Sequence, residues 1–133
     1  MKNVKKFLLL TCALFCVTVA YAFNESDLYG QWGIVRIEQY DRDRLVEAED
    51  APKEALNIAC FTFNRDHSVT IFGVGSGGWR INSNKLIIYL DSDENFMDNA
   101  TITIQNLNNN RLVLDFGRPN KNEREVMYLQ KLR

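Results

Sequence analysis

Short segments in which apolar and polar residues alternate recur from residue 30 to the end of the chain. The alternation is clearest in the run Thr101–Ile104, where isoleucines interleave with threonines. A period of two residues is typical of a strand with one buried face, and such strands favour antiparallel sheets. Helical turns are expected only at residues 25–29 and 52–56. The pattern predicts eight strands, over residues 30–40, 59–64, 68–73, 79–82, 85–91, 100–107, 111–116 and 125–133.

The connections between these strands alternate in length. Those over residues 65–67, 83–84 and 108–110 are tight turns rich in Asn, Asp and Ser, whereas the others are longer. In an up-and-down meander, every second connection lies at the same end of the sheet. The sequence therefore predicts an all-β, eight-stranded antiparallel up-and-down barrel, with the glycine-rich segment Gly73–Gly78 in a long loop. A β-sandwich or an open meander is the alternative fold.

The tripeptide Gly30–Trp32 opens the first predicted strand and places an indole at the end with the tight turns. The last predicted strand ends there too, and it brings the basic residues Lys131 and Arg133 towards Trp32. A cation over an indole face stabilises a protein by about 0.5–1 kcal/mol, and by more where both groups are desolvated. We therefore interpret Gly30, Trp32, Lys131 and Arg133 as the residues that close the base of the barrel.

This combination resembles the lipocalin superfamily. Its members carry Gly-x-Trp on the first strand after a short helical turn, close the barrel with that Trp and stack a C-terminal basic residue on it. The segment Leu28–Val35 matches the first feature and Tyr128–Arg133 can supply the last, while Phe61–Asp66 and Gly78–Ile81 resemble the middle of small bacterial lipocalin-like domains. The chain is shorter than animal lipocalins and lacks their C-terminal helix, middle Thr-Asp-Tyr-type motif and disulfide. The resemblance therefore implies the fold but no particular ligand.

The first 22 residues have the pattern of a signal peptide. Three lysines precede the apolar segment Phe7–Val19, which is short for a membrane span of about 20 residues, and Ala20–Ala22 forms a small-residue cleavage site. We expect cleavage after Ala22 and export of one domain, residues 23–133, to the periplasm or out of the cell. An uncleaved anchor, or a lipid on a cysteine of this segment, is the alternative. Only Cys60 follows the cleavage site, so we expect a buried free thiol or an intermolecular pair.

Charged residues on the first strand are candidates for the barrel interior. Strand parity counted from Trp32 predicts that Ile34, Arg36, Glu38 and Tyr40 face inward, provided that Gly33 introduces no bulge. Two inward charges are costly unless they are paired or hydrated. In one interpretation Arg36 and Glu38 pair with one another; in the other, Arg36 binds the carboxylate of a ligand.

An eight-stranded barrel is wide enough either to be filled by side chains or to hold one small ligand. Aromatic residues at strand ends near the long loops indicate an apolar mouth that binds a small apolar or amphipathic molecule. The candidate ligand-binding residues are Arg36, Tyr40, Phe61, Trp79, Phe96 and Phe116. The alternative is a filled barrel that acts as an inhibitor or protein-interaction module of the cell envelope through an outer apolar patch of Phe72, Ile87, Tyr89 and Tyr128.

The sequence offers little for catalysis. His67 is the only histidine and lies in a predicted tight turn. There is no His or Cys cluster for a transition metal, no paired nucleophile and base, and no phosphate-binding glycine motif. The domain is mildly acidic and has no basic stripe for nucleic acid. We expect a protein that is not an enzyme and that uses no metal or cofactor.

Overall fold

The computed structural model describes residues 23–91, 101–117 and 122–133; the predicted signal peptide lies outside this range. Within it, two 3-10 helices span Glu25–Leu28 and Lys53–Ala55, close to both predicted helical turns. No helix of the described residues is long and apolar enough to cross a membrane. The strands are β1 (Gly30–Asp41), β2 (Arg44–Asp50), β3 (Phe61–Phe63), β4 (Ser68–Ile71), β5 (Gly75–Asn82), β6 (Lys85–Leu90), β7 (Thr101–Leu107), β8 (Arg111–Gly117) and β9 (Glu123–Lys131).

The strands form one antiparallel sheet that closes on itself. Hydrogen-bonded neighbours follow the order β1-β3-β4-β5-β6-β7-β8-β9, and β9 pairs again with β1. The closing pair is long, running from Trp32 opposite Lys131 to Asp41 opposite Glu123. The predicted fold class, an eight-stranded antiparallel barrel, is confirmed, and its architecture is compatible with a lipocalin-like fold.

Apolar side chains from alternate strand positions fill the lower part of the barrel. Leu28 and Trp32 are fully buried. Burial of a large apolar side chain contributes about 1.5–3 kcal/mol, so this cluster is the main source of stability. Its other members are Phe61, Phe63, Val69, Ile71, Trp79, Leu86, Ile88, Ile102, Ile104, Leu112, Leu114 and Leu129.

The base of the barrel is built around Trp32. Its indole N–H donates to the carbonyl oxygen of Leu28 at 2.8 Å, and the Lys131 ammonium lies 5.1 Å from the ring centroid. Gly30 has φ +128°, and a Cβ at this position would lie 2.3 Å from the carbonyl oxygen of Arg133. Arg133 therefore closes the base with its backbone, which accepts the N–H of Gln31 at 2.8 Å, while Lys131 supplies the cation.

A strand that the sequence did not predict, β2, forms a hairpin with the upper half of β1. The pairing runs from Arg36 opposite Asp50 to Asp41 opposite Arg44. All seven residues of β2 are exposed, so the strand has no buried face to produce a period-two signal. Because β3 pairs only with the segment Gly30–Trp32, β1 changes its neighbour from β3 to β2 along its length.

Strand β5 begins earlier than predicted. Gly75–Gly78 pair with Ser68–Ile71 of β4, so this glycine-rich segment belongs largely to the sheet and not to a long loop. A Cβ on Gly77 would lie 1.8 Å from the carbonyl oxygen of Tyr89, which explains why a glycine is needed where β5 and β6 approach closely. The earlier start moves Trp79 away from the mouth and towards the base.

A β-bulge interrupts β1. Ile34 lies opposite Leu129 of β9, whereas Arg36 lies opposite Tyr128, so Val35 is an extra residue in β1. Leu129 packs in the core, and its neighbour Tyr128 points to the other face of the sheet. Since residues directly opposite one another share a face, Arg36 lies on the outside of the barrel.

The prediction that Arg36, Glu38 and Tyr40 face the interior is therefore wrong. Parity counted from Trp32 holds only while no residue is inserted, and Val35 shifts every later side chain of β1 to the opposite face.

Candidate functional site

The upper end of the barrel contains a cavity of about 650 Å³, at the end of β1 opposite to Trp32. Apolar side chains form its floor: Cys60, Phe61, Ile71, Val74, Phe116 and Met127. Polar and charged side chains surround its opening: Gln39, Tyr40, Asp41, Arg44, Glu123, Arg124 and Glu125. Val46 and Phe72, both largely exposed, complete the lining. We call this space the mouth cavity.

The strand registers explain how the floor is assembled. Phe61 of β3 lies directly opposite Ile71 of β4, so the two side chains share the inner face. Met127 of β9 lies opposite Leu114 of β8, which is fully buried in the core. Phe116 follows two residues after Leu114 and points the same way, which brings its ring to the upper edge of the packed interior. The floor is thus the top layer of the core.

The opening carries more carboxylates than cations. Glu125 lies opposite both Gln39 and Phe116, and Asp41 lies opposite Glu123. Arg44 lies opposite Asp41 across the β1–β2 hairpin. A molecule placed in the cavity would therefore contact apolar groups below and charged groups above.

Cys60 is half-buried and contributes its thiol to the floor. Burial raises the pKa of this thiol above its ordinary value, because the thiolate loses solvation. The thiolate is the nucleophilic form, so Cys60 is a weak nucleophile at neutral pH. It acts in the floor as a small apolar group.

Glu38 organises a polar cluster on the outside of the barrel. It is buried, and its carboxylate accepts hydrogen bonds from the hydroxyls of Tyr128 at 2.7 Å and Tyr40 at 3.0 Å and from the guanidinium of Arg36 at 3.1 Å. The same guanidinium donates to Asp50 of β2 at 2.9 Å. The cluster ties β1, β2 and β9 together where β1 changes its neighbour.

The hydrogen bonds of this cluster shift the pKa values of its members. The hydrogen bond from the Tyr128 hydroxyl, followed by those from the Tyr40 hydroxyl and the Arg36 guanidinium, holds the pKa of Glu38 below its usual value against the opposing effect of desolvation. In return, the hydrogen bond to Glu38 raises the pKa of Tyr128 to about 12. It also raises the pKa of Tyr40. The ion pairs with Asp50 and Glu38 raise the pKa of Arg36. Arg36 is therefore engaged in a structural contact outside the cavity.

Trp79 also lies outside the mouth cavity. Its ring packs near the base against Phe63 and Tyr29, at centroid distances of 5.5 and 6.0 Å. His67 lies 4.9 Å from the same ring, and its Nε2 contacts the Glu25 carboxylate at 2.6 Å. This cluster fastens the first 3-10 helix to the β3–β4 turn.

Three of the six candidate ligand-binding residues line the mouth cavity: Tyr40 at its opening, and Phe61 and Phe116 in its floor. Arg36 and Trp79 lie elsewhere, and Phe96 lies outside the described residues. Sequence reasoning missed the other four residues of the floor, Cys60, Ile71, Val74 and Met127. Strand parity counted back from Leu129 places Met127 inward, so the sequence could have predicted this residue. Val74 lies in the β4–β5 turn and carries no periodic signal.

Fold and site together define a small closed antiparallel β-barrel with a packed base and an open, apolar mouth. No model of a known protein family matches the chain, and no curated protein matches it. Within residues 23–91, 101–117 and 122–133, no group of three or more His, Cys, Asp and Glu side chains is placed to hold a metal ion. The mouth cavity is therefore the candidate site that the geometry supports best.

Proposed function

We propose that this protein is an exported, lipocalin-like binding protein that carries one small apolar or amphipathic molecule in the mouth cavity. The observation that carries the proposal is the cavity itself, whose volume of about 650 Å³ lies above an apolar floor and below a charged opening. Sites for small molecules have volumes of roughly 300–1,000 Å³, apolar walls and a few polar groups that orient the ligand.

The proposal assigns binding without catalysis. His67, the only imidazole of the chain, is held by Glu25 at the base, at the opposite end from the cavity. Cys60 lines the cavity, but burial raises the pKa of its thiol and keeps it protonated at neutral pH. Covalent catalysis needs an activated nucleophile beside a general base, and neither His67 nor Cys60 is part of such a pair.

The filled-barrel alternative has less support. The mouth cavity leaves the upper interior open, and the outer apolar patch expected for a filled barrel is not continuous. Tyr89 lies on β6 and Tyr128 on β9, with β7 and β8 between them. The Tyr128 hydroxyl also donates a hydrogen bond to Glu38.

A cavity-blocking variant tests the proposal. Val74→Trp places a large indole at the edge of the mouth cavity, at a position that is only half-buried. We expect roughly tenfold weaker binding of the neutral fluorescent probe N-phenylnaphthylamine, because the indole takes up ligand volume. Tyr89→Trp is the matched control, since Tyr89 is exposed on β6 away from the cavity. Equal binding of the probe by the wild type and both variants would refute the proposed site.

A further inference from the structure

Strand β2 has one unused edge within the part of the chain that the structure describes. It stands at one end of the sheet order and pairs only with β1. Each strand of the β1–β9 ring, in contrast, has a paired neighbour on both sides. An exposed strand edge presents backbone donors and acceptors that can pair with another extended chain.

The hydrogen bonds of the hairpin show which backbone groups are free. The N–H of Ala51 donates to the carbonyl oxygen of Val35 at 2.8 Å, so these two residues form a hydrogen-bonded pair. Such pairs alternate with non-bonded ones in antiparallel ladders, and the register makes Glu49 the next residue of β2 that bonds to β1. The N–H and C=O groups of Ala48 and Asp50 therefore point away from β1, along the unused edge.

The side chains next to this edge are acidic. Glu47 and Glu49 are exposed and lie opposite Gln39 and Ile37, on the inner face of the hairpin. Neither makes a salt bridge to another described residue, whereas Asp50 on the outer face is neutralised by Arg36. Like charges directly opposite one another destabilise a ladder, so β2 of a second copy is a poor partner and a basic strand is a good one.

Two exposed apolar side chains also lie at the opening of the mouth cavity. Val46 of β2 is 58% exposed and Phe72 of the β4–β5 hairpin is 67% exposed, and both line the mouth cavity. A chain that paired with β2 would place its inward side chains next to Glu47 and Glu49.

From this juxtaposition we propose that the unused edge of β2 binds an extended polypeptide segment of a partner protein, which pairs with Ala48 and Asp50 and carries basic residues opposite Glu47 and Glu49. Backbone hydrogen bonds supply most of the affinity, and the two glutamates select for basic sequences. The ion pairs are exposed and hence screened by salt, so binding weakens as ionic strength rises.

The probe for this proposal is a blocked synthetic peptide in which lysine alternates with valine; the same peptide with glutamate in place of lysine is the control. Amide hydrogen exchange of the purified protein is followed by NMR. The lysine peptide is expected to slow exchange at Ala48 and Asp50, and the glutamate peptide is not. Combining Glu47→Gln and Glu49→Gln is expected to lower the affinity roughly three- to tenfold, as for the loss of two exposed ion pairs.

A proline variant separates edge pairing from nonspecific attraction. Ala48→Pro removes one N–H from the unused edge without removing a bond to β1, a position where strands tolerate proline. It is expected to abolish protection by the lysine peptide, whereas Ala48→Thr keeps the N–H and the binding. Unchanged amide chemical shifts outside the β1–β2 hairpin show that the barrel of Ala48→Pro is intact.

Three results would overturn the inference. The first is that the lysine peptide binds Ala48→Pro as well as it binds the wild type. The second is that both peptides bind equally, and the third is that protection from exchange appears only at residues of the cavity floor. Self-association of the protein through β2, or binding to anionic lipid vesicles in preference to the peptide, would replace it with a different partner. Each of these results leaves the proposed small-molecule site untouched, since that site is tested by Val74→Trp.

Discussion

At the residue scale, Glu38 is the centre of a hydrogen-bonded cluster on the outer face. It joins side chains of β1 and β9, and through Arg36 it reaches β2. Hydrogen bonds to a charged acceptor are worth about 1.5–3 kcal/mol, more than neutral ones. The cluster is therefore expected to stabilise the hairpin against the barrel wall.

Tyr128, which donates the shortest of these hydrogen bonds, makes the stability that the cluster contributes depend on pH. Because Glu38 raises the pKa of Tyr128 from 10.0 to about 12, the protonated hydroxyl stabilises the fold fully below pH 10, and this contribution is lost as the pH rises through about 12. Tyr128→Phe is expected to lower the free energy of unfolding at neutral pH by about 1–3 kcal/mol and to lose less stability between pH 10 and 12 than the wild type. Urea denaturation across this pH range measures both effects, and parallel curves for the two proteins would contradict the assignment.

At acidic pH, the stability contributed by this cluster changes with pH in the opposite direction. The pKa of Glu38 is held below its usual value, so the stabilisation is present above that usual value and is lost as the pH falls through the lowered one. Glu38→Gln is expected to be less stable at neutral pH and to show a smaller additional loss on acidification, measured by the same denaturation curves. An equal acid loss in both proteins would exclude Glu38 as its source.

At the element scale, the close contact of β5 with β6 depends on one glycine. A Cβ on Gly77 would lie 1.8 Å from the Tyr89 carbonyl oxygen, whereas a Cβ on Gly78 would lie 3.4 Å from the nearest neighbour, the carbonyl oxygen of His67. Gly77→Ala is expected to destabilise the protein by about 1–3 kcal/mol or more, because the two strands must separate. Gly78→Ala is the matched control with a small effect. Equal losses in thermal unfolding would show that chain flexibility, and not strand spacing, explains the glycines.

Elements with a buried face were predictable and those without one were not. The eight barrel strands alternate between core and solvent, so their period-two pattern located them. β2 is exposed along its whole length, and the glycines of β5 have no side chains to alternate, so neither segment carries the period-two signal of a strand. The bulge at Val35 is set by how β1 meets β9 across the closed barrel, which no local pattern records.

At the scale of the whole molecule, the two ends of the barrel differ. Tight turns, Trp32 and Lys131 close the base, while the other end keeps an open cavity between the β1–β2 hairpin and the β4–β5 turn. The alternation of short and long connections predicted which end is closed. It also predicted Phe61 and Phe116 at the mouth, because those positions depend only on where strands end. The prediction failed for Trp79, because the position of this residue along the barrel axis depends on where β5 begins.

The carrier hypothesis is tested most directly by native mass spectrometry of the protein purified from the cells that produce it. We expect the wild type and Tyr89→Trp to retain the same small-molecule adduct and Val74→Trp to lose it, because only the last substitution occupies the mouth cavity. If all three proteins show the mass of the polypeptide alone, or if Val74→Trp keeps the adduct at wild-type occupancy, the mouth cavity does not carry a ligand in the cell.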